Sequence, residues 1–138
     1  MEKRIEPAVP ITLTGLFGPQ SNLDAMAWQP FHPGIEIVPI YGDRATGPSA
    51  ALLRYAPGAK LDWHNHVGFE HIIVLRGRQV DEFGEKSEGM IAVNPPGTGH
   101  SVVSPAGCVV LAIWERPVVF PPVAATDAAA IVAPVQRR

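Results

Sequence analysis

Short runs of apolar and β-branched residues alternate with turn-forming residues along most of the chain. The runs begin near residue 31 and recur at spacings of roughly 8–12 residues, which is typical of an all-β sandwich or barrel. Glycine and proline separate the runs so often that few windows could carry three helical turns. The predicted strands are GIEIVPIY, SAALLRY, KLDWHNH, EHIIVL, RQVDEF, GMIAVN, HSVVS and CVVLAIWERPVVF.

Two connections between these runs have the character of hairpin turns. The dipeptide RG between EHIIVL and RQVDEF has the length of a tight two-residue turn, and Gly77 can adopt a positive φ there. The acidic segment DEFGEKSE reads as a solvated hairpin tip. Both turns predict antiparallel pairing between neighbouring strands.

The two ends of the chain differ from its centre. Residues 1–27 are rich in turn formers and predict a docked arm or an edge strand. Near the other end, ATDAAAIVAP predicts a short helix that Thr126 or Asp127 caps and Pro134 ends. We therefore expect one domain over residues 1–138, with an arm over 1–30, a barrel over 31–120 and a tail over 121–138.

Composition narrows the class of protein. The chain has 138 residues, of which 46% are hydrophobic and 17% charged, with 13 glycines, 15 prolines and a net charge of −2. These values indicate a compact globule and argue against nucleic-acid or membrane-surface partners. A single cysteine, Cys108, excludes an intrachain disulfide framework and fits a reducing compartment. With no membrane span and no apolar signal segment in the sequence, we expect a cytoplasmic protein.

The segment WHNHVGFEH carries the candidate chemistry. His64 and His66 are two residues apart, so on a strand their side chains point to one face. Glu70 has the same parity beyond a turn at Gly68, and a hairpin would bring it back beside the two histidines. His100 opens a later strand behind the rigid turn NPPGTG. Three imidazoles and a carboxylate suit a first-row transition metal and leave coordination positions open.

These residues carry a resemblance to a known family. Gly58-x5-His64-x-His66-x3-Glu70-x6-Gly77 matches the first cupin motif, and Gly89-x5-Pro95-x-Gly97-x2-His100 matches the second. The second motif ends in an asparagine after three further residues, and here that position is Ser104. The segments RYAPGA, GFEHIIVLRG, DEFG and NPPGTGH also resemble the ChrR-like branch of the cupins. The likeness covers about two-thirds of the chain.

The resemblance implies an antiparallel cupin jelly roll with the metal inside the barrel. The ligands carried over by position are His64, His66, Glu70 and His100, while Ser104 replaces a residue that does not ligate. The implied cofactor is one divalent transition metal per chain, namely Zn, Fe, Mn or Ni. The resemblance also implies a homodimer and a small-molecule ligand or substrate.

Other side chains near the motifs have simpler interpretations. His71 follows Glu70 directly and points to the opposite face, so a core or interface role is expected rather than ligation. His32, in PFHPG, is expected to be exposed, and Cys108 to be a buried structural thiol. Arg54 and Tyr55 must face opposite ways, so one of them can reach the barrel interior. The aromatic residues Trp63, Phe69 and Trp114 are expected in the core, with a pocket-lining role as the alternative.

Three functions are compatible with this sequence. The first is a metal-dependent enzyme of dioxygenase type that acts on a small oxygenated organic molecule. The second is a non-enzymatic, ChrR-like metal-binding sensor, although the Pro-rich arm and the single cysteine argue against binding a sigma factor by the same mechanism. The third, a metal-free structural cupin or a sugar-nucleotide epimerase, conflicts with the full ligand set.

Overall fold

A computed structural model describes residues 5–122 and shows an all-β protein, as predicted. A single 3-10 turn, Leu23–Ala25, precedes the strands, and no α-helix occurs between residues 5 and 122. The strands are β1 (Gln29–His32), β2 (Ile35–Gly42), β3 (Ser49–Tyr55), β4 (Ala59–His66), β5 (Glu70–Asp81), β6 (Gly84–Ser87), β7 (Ile91–Asn94), β8 (Gly99–Ser104), β9 (Cys108–Trp114) and β10 (Val118–Val119).

The strands form one rolled antiparallel sheet. Its order is β1-β2-β3-β9-β5-β8-β4-β10, and β6 and β7 also pair with β5. The first half of β5 pairs with β7 and β9, and its second half pairs with β6 and β8, so β5 joins the two walls of the barrel. Alternate residues of the strands point inward and form the core, as in a jelly roll.

The predicted hairpin at Arg76-Gly77 is wrong, because β5 runs straight through this dipeptide. The pairing of β5 with β9 shifts register between Val74 and Arg76, which marks a β-bulge. Gly77 has φ +76°, and the strand passes from one wall to the other here. A positive-φ glycine occurs in bulges as readily as in turns, and here the pairing of β5 with both walls shows that it is a bulge. The true hairpin follows at Glu82-Phe83, inside the predicted DEFGEKSE tip.

Gly77→Ala is expected to destabilise the fold strongly. A Cβ at this position would lie 2.2 Å from the Gly107 carbonyl oxygen, in addition to the strain of φ +76°. We expect a loss of about 3 kcal/mol in the free energy of unfolding, measured by urea titration. Gly58→Ala is the matched control because φ is +82° and nothing lies within 4 Å of its Cβ. The control should cost about 1 kcal/mol, and equal losses would contradict the close approach.

The predicted β4–β5 hairpin is also wrong, although Glu70 does begin β5. β4 pairs with β8 and β10, whereas Glu70 pairs with Asn94 of β7 and Trp114 of β9. Residues 67–69 therefore cross from one wall of the barrel to the other. Glu70 reaches the histidines across the barrel interior and not along a shared ladder. The predicted strand CVVLAIWERPVVF is likewise two strands, since β9 ends at Trp114 and β10 begins at Val118.

The segment before β1 packs on the outside of the barrel through Leu23 and Trp28. Leu23 is fully buried against Leu52, Leu75 and Val109 on the outer sheet face. Trp28 donates from Nε1 to the Leu23 carbonyl oxygen at 2.8 Å. The arm thus covers apolar surface that the outer face of β3, β5 and β9 would otherwise expose to water.

The predicted helix at ATDAAAIVAP lies outside the described residues. The division into arm, barrel and tail, and the homodimer, stay predictions. Among residues 5–122 no helix is long and apolar enough to cross a membrane.

Candidate metal centre

The structure brings His64, His66, Glu70 and His100 together inside the barrel. All four residues are buried, and one ligand atom from each lies within 4.8 Å of the others. His64 of β4 faces His100 of β8 directly across the ladder. The three imidazole ring centroids lie 4.7, 4.8 and 5.3 Å apart. These are the residues that the two sequence motifs select.

Hydrogen bonds orient every imidazole in the same way. The Nδ1 of His64 donates to the Asp62 carbonyl oxygen at 2.9 Å, and the Nδ1 of His100 donates to Asp81 Oδ2 at 2.8 Å. The Nδ1 of His66 lies 3.0 Å from the Thr98 hydroxyl, which itself donates to the Pro95 carbonyl oxygen. That hydroxyl can only accept from His66. Each ring therefore carries hydrogen on Nδ1 and is free to present its Nε2 to the centre.

His66 Nε2 is a buried nitrogen without a hydrogen bond among the described residues. It lies 3.1 Å from Glu70 Oε1, but their alignment does not make a hydrogen bond. Because Nδ1 is bonded to Thr98, Nε2 is the ring atom left to meet a bound cation, and the Glu70 carboxylate beside it favours a positive charge there. This contact supports the view that the four residues can hold a metal.

Glu70 is held as an anion in the barrel. Its Oε1 accepts from Asn94 Nδ2 at 2.9 Å, and its Oε2 accepts from Trp114 Nε1 at 2.8 Å. Burial alone would raise the pKa of Glu70, but its contacts with His100 and His66 outweigh burial and hold the pKa well below its ordinary value. Burial and the neighbouring His100 lower the pKa of His64 to about 4, so His64 is neutral at pH 7.

The size of the cluster fits a first-row metal ion. Nitrogen and oxygen ligands bind such ions at about 2.0–2.2 Å, so ligands on opposite sides are about 4.2 Å apart. The observed limit of 4.8 Å requires the side chains to close in by only about half an ångström. Imidazole and carboxylate ligands suit zinc, iron, manganese and nickel alike. The donor set therefore fits a metal without selecting one.

Asp81 contacts the four-residue cluster through His100, and the sequence interpretation did not single it out. Its Oδ2 accepts from His100, while its Oδ1 accepts from the Phe83 amide at 2.8 Å and from Lys86 Nζ. Burial raises the pKa of Asp81, but its bonds to His100 and Lys86 bring it down to about 2. Burial opposes protonation of His100, yet Asp81 and Glu70 raise its pKa to about 9. His100 alone among the three imidazoles has an anionic partner on Nδ1.

An inner and an outer cavity lead from the cluster to the surface. The inner cavity, about 40 Å³, is lined by His64, Glu70 and His100. The outer cavity, about 270 Å³, adjoins it, and five residues line both cavities. These shared residues are Phe31, His32, Trp114, Val118 and Phe120. Phe120 packs between His32 and His64, with ring centroids 5.7 and 5.2 Å away.

The remaining candidate residues fall on both sides of the barrel wall. His71 lies outside the cluster and stacks on Phe69 at 6.3 Å, as expected for a residue of opposite parity. His32 was expected to be exposed, and this is wrong, because it is half-buried and lines both cavities. Tyr55 points inward, whereas Arg54 points outward to Glu36 at 2.8 Å.

The three aromatic residues that were expected in the core differ in burial. Trp114 lies in the core and lines both cavities, which combines its two predicted roles. Phe69 is 42% exposed, so its predicted place in the core is wrong. It sits in the crossing segment between the two walls, where its side chain turns to solvent. Trp63 is half-buried on β4 and donates from Nε1 to Asn65 at 3.2 Å.

Cys108 is a buried thiol, as predicted, and is expected to be unreactive in the folded protein. It is 4% exposed, and burial raises its pKa to about 11. The thiolate is the nucleophile, so a disulfide reagent should label Cys108 slowly at pH 8 and quickly in 6 M guanidinium. The rate should rise with pH until about 11. Fast, complete labelling of the folded protein at pH 8 would contradict this burial.

A rolled antiparallel sheet with three histidines and one glutamate inside defines a cupin-type metal-binding fold. The model of the ChrR cupin-like domain family matches residues 20–118. The chain belongs to this family, and the resemblance seen in the sequence is confirmed. No curated protein matches the chain significantly.

Solved structures show the same fold at low sequence identity. An acetylacetone dioxygenase from Acinetobacter johnsonii is 13% identical, with 94% of each chain covered and a TM-score of 0.65. The complex of Rhodobacter sphaeroides SigE with the anti-sigma ChrR matches with 20% identity over 78% of this chain and 71% of that chain, at a TM-score of 0.62. A cupin-like protein of unknown function from Ralstonia eutropha JMP134 is 22% identical, with a TM-score of 0.57, and 62% of each chain is covered.

Proposed function

We propose that this protein is a metal-dependent enzyme of dioxygenase type acting on a small oxygenated organic molecule. In this proposal His64, His66, Glu70 and His100 bind one divalent transition metal. The observation that carries the proposal is the cavity, because the open side of the four-residue cluster faces a space that reaches the surface. A site that only stabilised the fold would need no such access.

The bound metal would supply Lewis-acid chemistry and a site for O2. The protein's own residues supply the other requirements of such a reaction. Hydrogen bonds at Nδ1 hold the three imidazole rings, so the rings need not rotate for their Nε2 atoms to bind the metal. Phe31, Trp114 and Phe120 give the cavity apolar wall area, which would pack against the apolar part of a substrate and keep bulk water away. A dioxygenase incorporates both atoms of O2 into its substrate, so no external reductant is required.

The proposal agrees with the acetylacetone dioxygenase whose fold this chain shares over 94% of its length. That likeness concerns the fold, and the substrate of the Acinetobacter protein is not transferred to this chain by it. The alternative is a metal-binding sensor, which the match to the ChrR cupin-like family favours. A sensor would bind metal and ligand in the same cavity but would not consume O2.

Oxygen uptake separates the two functions. The protein is loaded with Fe(II), Mn(II), Ni(II) or Zn(II), and O2 is followed with an electrode in the presence of β-diketones, hydroxyaryl ketones or thiols. We expect uptake with at least one redox-active metal, with O2 and substrate consumed in a one-to-one ratio. Zinc-loaded and metal-free protein are the controls. Full metal occupancy without uptake for any compound would contradict the enzyme and support the sensor.

A further inference from the structure

The outer cavity has polar wall residues that the metal site does not use. Arg44, His32 and Ser49 lie among the apolar residues that line it, and Arg44 and Ser49 line this cavity alone. No aspartate or glutamate between residues 5 and 122 lines the same wall. The outer cavity therefore presents a positive charge and a hydroxyl group next to apolar surface.

The Arg44 guanidinium is held in position before any ligand arrives. Arg44 lies in the turn between β2 and β3, where the Asp43 carboxylate accepts from the Ala45 amide at 2.8 Å and the Asp43 carbonyl oxygen accepts from the Gly47 amide at 2.6 Å. The guanidinium lies over the Phe31 ring, with Cζ 5.1 Å from the ring centroid. A guanidinium that stacks through its face can still donate hydrogen bonds from its edge.

Ser49 offers a second hydrogen-bonding group on the same wall. It begins β3, is 2% exposed, and has the same inward parity as Ala51 and Leu53 of the barrel core. Its hydroxyl makes no hydrogen bond with any residue between 5 and 122. Native interiors rarely leave a hydroxyl unpaired, because burying it without a partner is costly. A ligand oxygen in the outer cavity would supply the missing hydrogen bond.

We propose that the outer cavity binds the carboxylate of a small organic acid, with Arg44 as its cationic partner and Ser49 as a further hydrogen-bond donor. This acid would be the substrate of the metal site, so the inference rests on the function proposed above. The end of the molecule remote from the carboxylate would face the metal. Its carbon skeleton would pack against Phe31 and Phe120.

The cationic groups of the wall favour a carboxylate over a phosphate. Burial lowers the pKa of His32, which is therefore neutral at pH 7, so Arg44 is the one charged side chain on this wall among the described residues. The planar guanidinium matches the two oxygen atoms of a carboxylate. Phosphates are commonly bound by clusters of cations or by a helix N-terminus. Between residues 5 and 122, neither lines this cavity.

The charge of the metal site is compatible with an acidic substrate. Glu70 contributes one negative charge, which a divalent ion would outweigh, and Lys86 balances the charge of Asp81. The volume of the outer cavity is also sufficient. One water needs about 10–15 Å³, so 270 Å³ holds about twenty groups of that size. An acid of about ten non-hydrogen atoms fits within this limit.

Phenylacetate and phenylacetamide test the inference, because they differ in charge but little in shape. Each compound is titrated in a calorimeter at pH 7, into zinc-loaded protein and into protein freed of metal by chelation. We expect phenylacetate to bind at least about tenfold more tightly than the amide in both forms of wild type. A preference that persists without metal assigns the carboxylate to Arg44 and not to the metal.

Variants then assign this preference to single side chains. Arg44→Met removes the charge and keeps the side-chain length, and should reduce the preference to within about twofold. Arg44→Lys keeps the charge without the planar group and should retain part of the preference, and Ser49→Ala should lower it about threefold. Arg116→Met is the matched control, because Arg116 is exposed and lines neither cavity. The control should keep the full preference.

Four results would overturn the inference. They are equal affinities of the acid and the amide in wild type, a preference that Arg44→Met leaves intact, a preference that disappears on chelation, and tighter binding of benzylphosphonate than of phenylacetate. The first, third and fourth use wild type alone and do not depend on the folding of a variant. Failure to take up zinc would instead contradict the proposed function, because the metal-free titration measures the outer cavity by itself.

Discussion

Glu70→Gln is expected to lower metal affinity by roughly 100-fold or more. The change removes the one negative charge among the four ligands while keeping the shape of the side chain. One carboxylate oxygen accepts from Asn94 and the other from Trp114. In glutamine an NH2 group replaces one of these oxygens, so two hydrogen-bond donors would face each other. The variant would therefore lose both the charge and one of these hydrogen bonds. Metal content after dialysis and competition with a coloured chelator measure the effect.

The matched control is Glu88→Gln, which makes the same chemical change at an exposed position in the turn after β6. This variant should bind metal as wild type does. Circular dichroism of both variants checks that the barrel has folded. Wild-type affinity in the Glu70→Gln protein would show that Glu70 is not a ligand.

Asp81→Asn is expected to weaken metal binding by about 10–100-fold, although Asp81 cannot reach the metal itself. The carboxylate fixes the ring of His100 through Nδ1 at 2.8 Å and makes its Nε2 a stronger donor. Asparagine can keep one hydrogen bond but removes the charge, and it leaves Lys86 without its anionic partner. The weakened affinity should be measured by chelator competition at several pH values.

Asp62→Asn provides the control for this change. The Asp62 side chain is exposed, and only its backbone oxygen contacts His64. The exchange of aspartate for asparagine should leave metal affinity within twofold at this position. Equal affinities of the Asp81→Asn and wild-type proteins would mean that Asp81 serves the fold of the β5–β6 hairpin and not the metal.

The grouping of the four candidate ligands could be predicted from sequence because it depends on parity and spacing. His64 and His66 share one face of β4, Glu70 begins β5, and His100 is the second residue of β8. The two motifs record these constraints as fixed distances along the chain. The predicted β4–β5 hairpin was wrong, because Glu70 reaches the histidines across the barrel. Its predicted position beside them was nevertheless correct, since its side chain points inward.

Features that depend on long-range packing could not be predicted in this way. Gly77 satisfies the requirements of a hairpin turn and of a bulge equally, and only the pairing of β5 with both walls decides between them. Asp81 reads as part of an acidic turn, and its role depends on His100, 19 residues away in sequence. A proline-flanked turn predicts an exposed His32, but packing against Phe120 places it on the cavity wall. Contacts between residues this far apart leave no pattern in the neighbouring sequence from which they could be predicted.

The most direct test of the metal centre combines metal analysis with anomalous X-ray scattering on the protein as purified. We predict about one equivalent of a first-row transition metal per chain and one anomalous peak within about 2.2 Å of His64 Nε2, His66 Nε2, Glu70 and His100 Nε2. The peak should disappear after chelation and return on adding the metal back. A crystal without a peak there, from protein that stays metal-free in excess Fe(II), Mn(II), Ni(II) and Zn(II), would contradict the account.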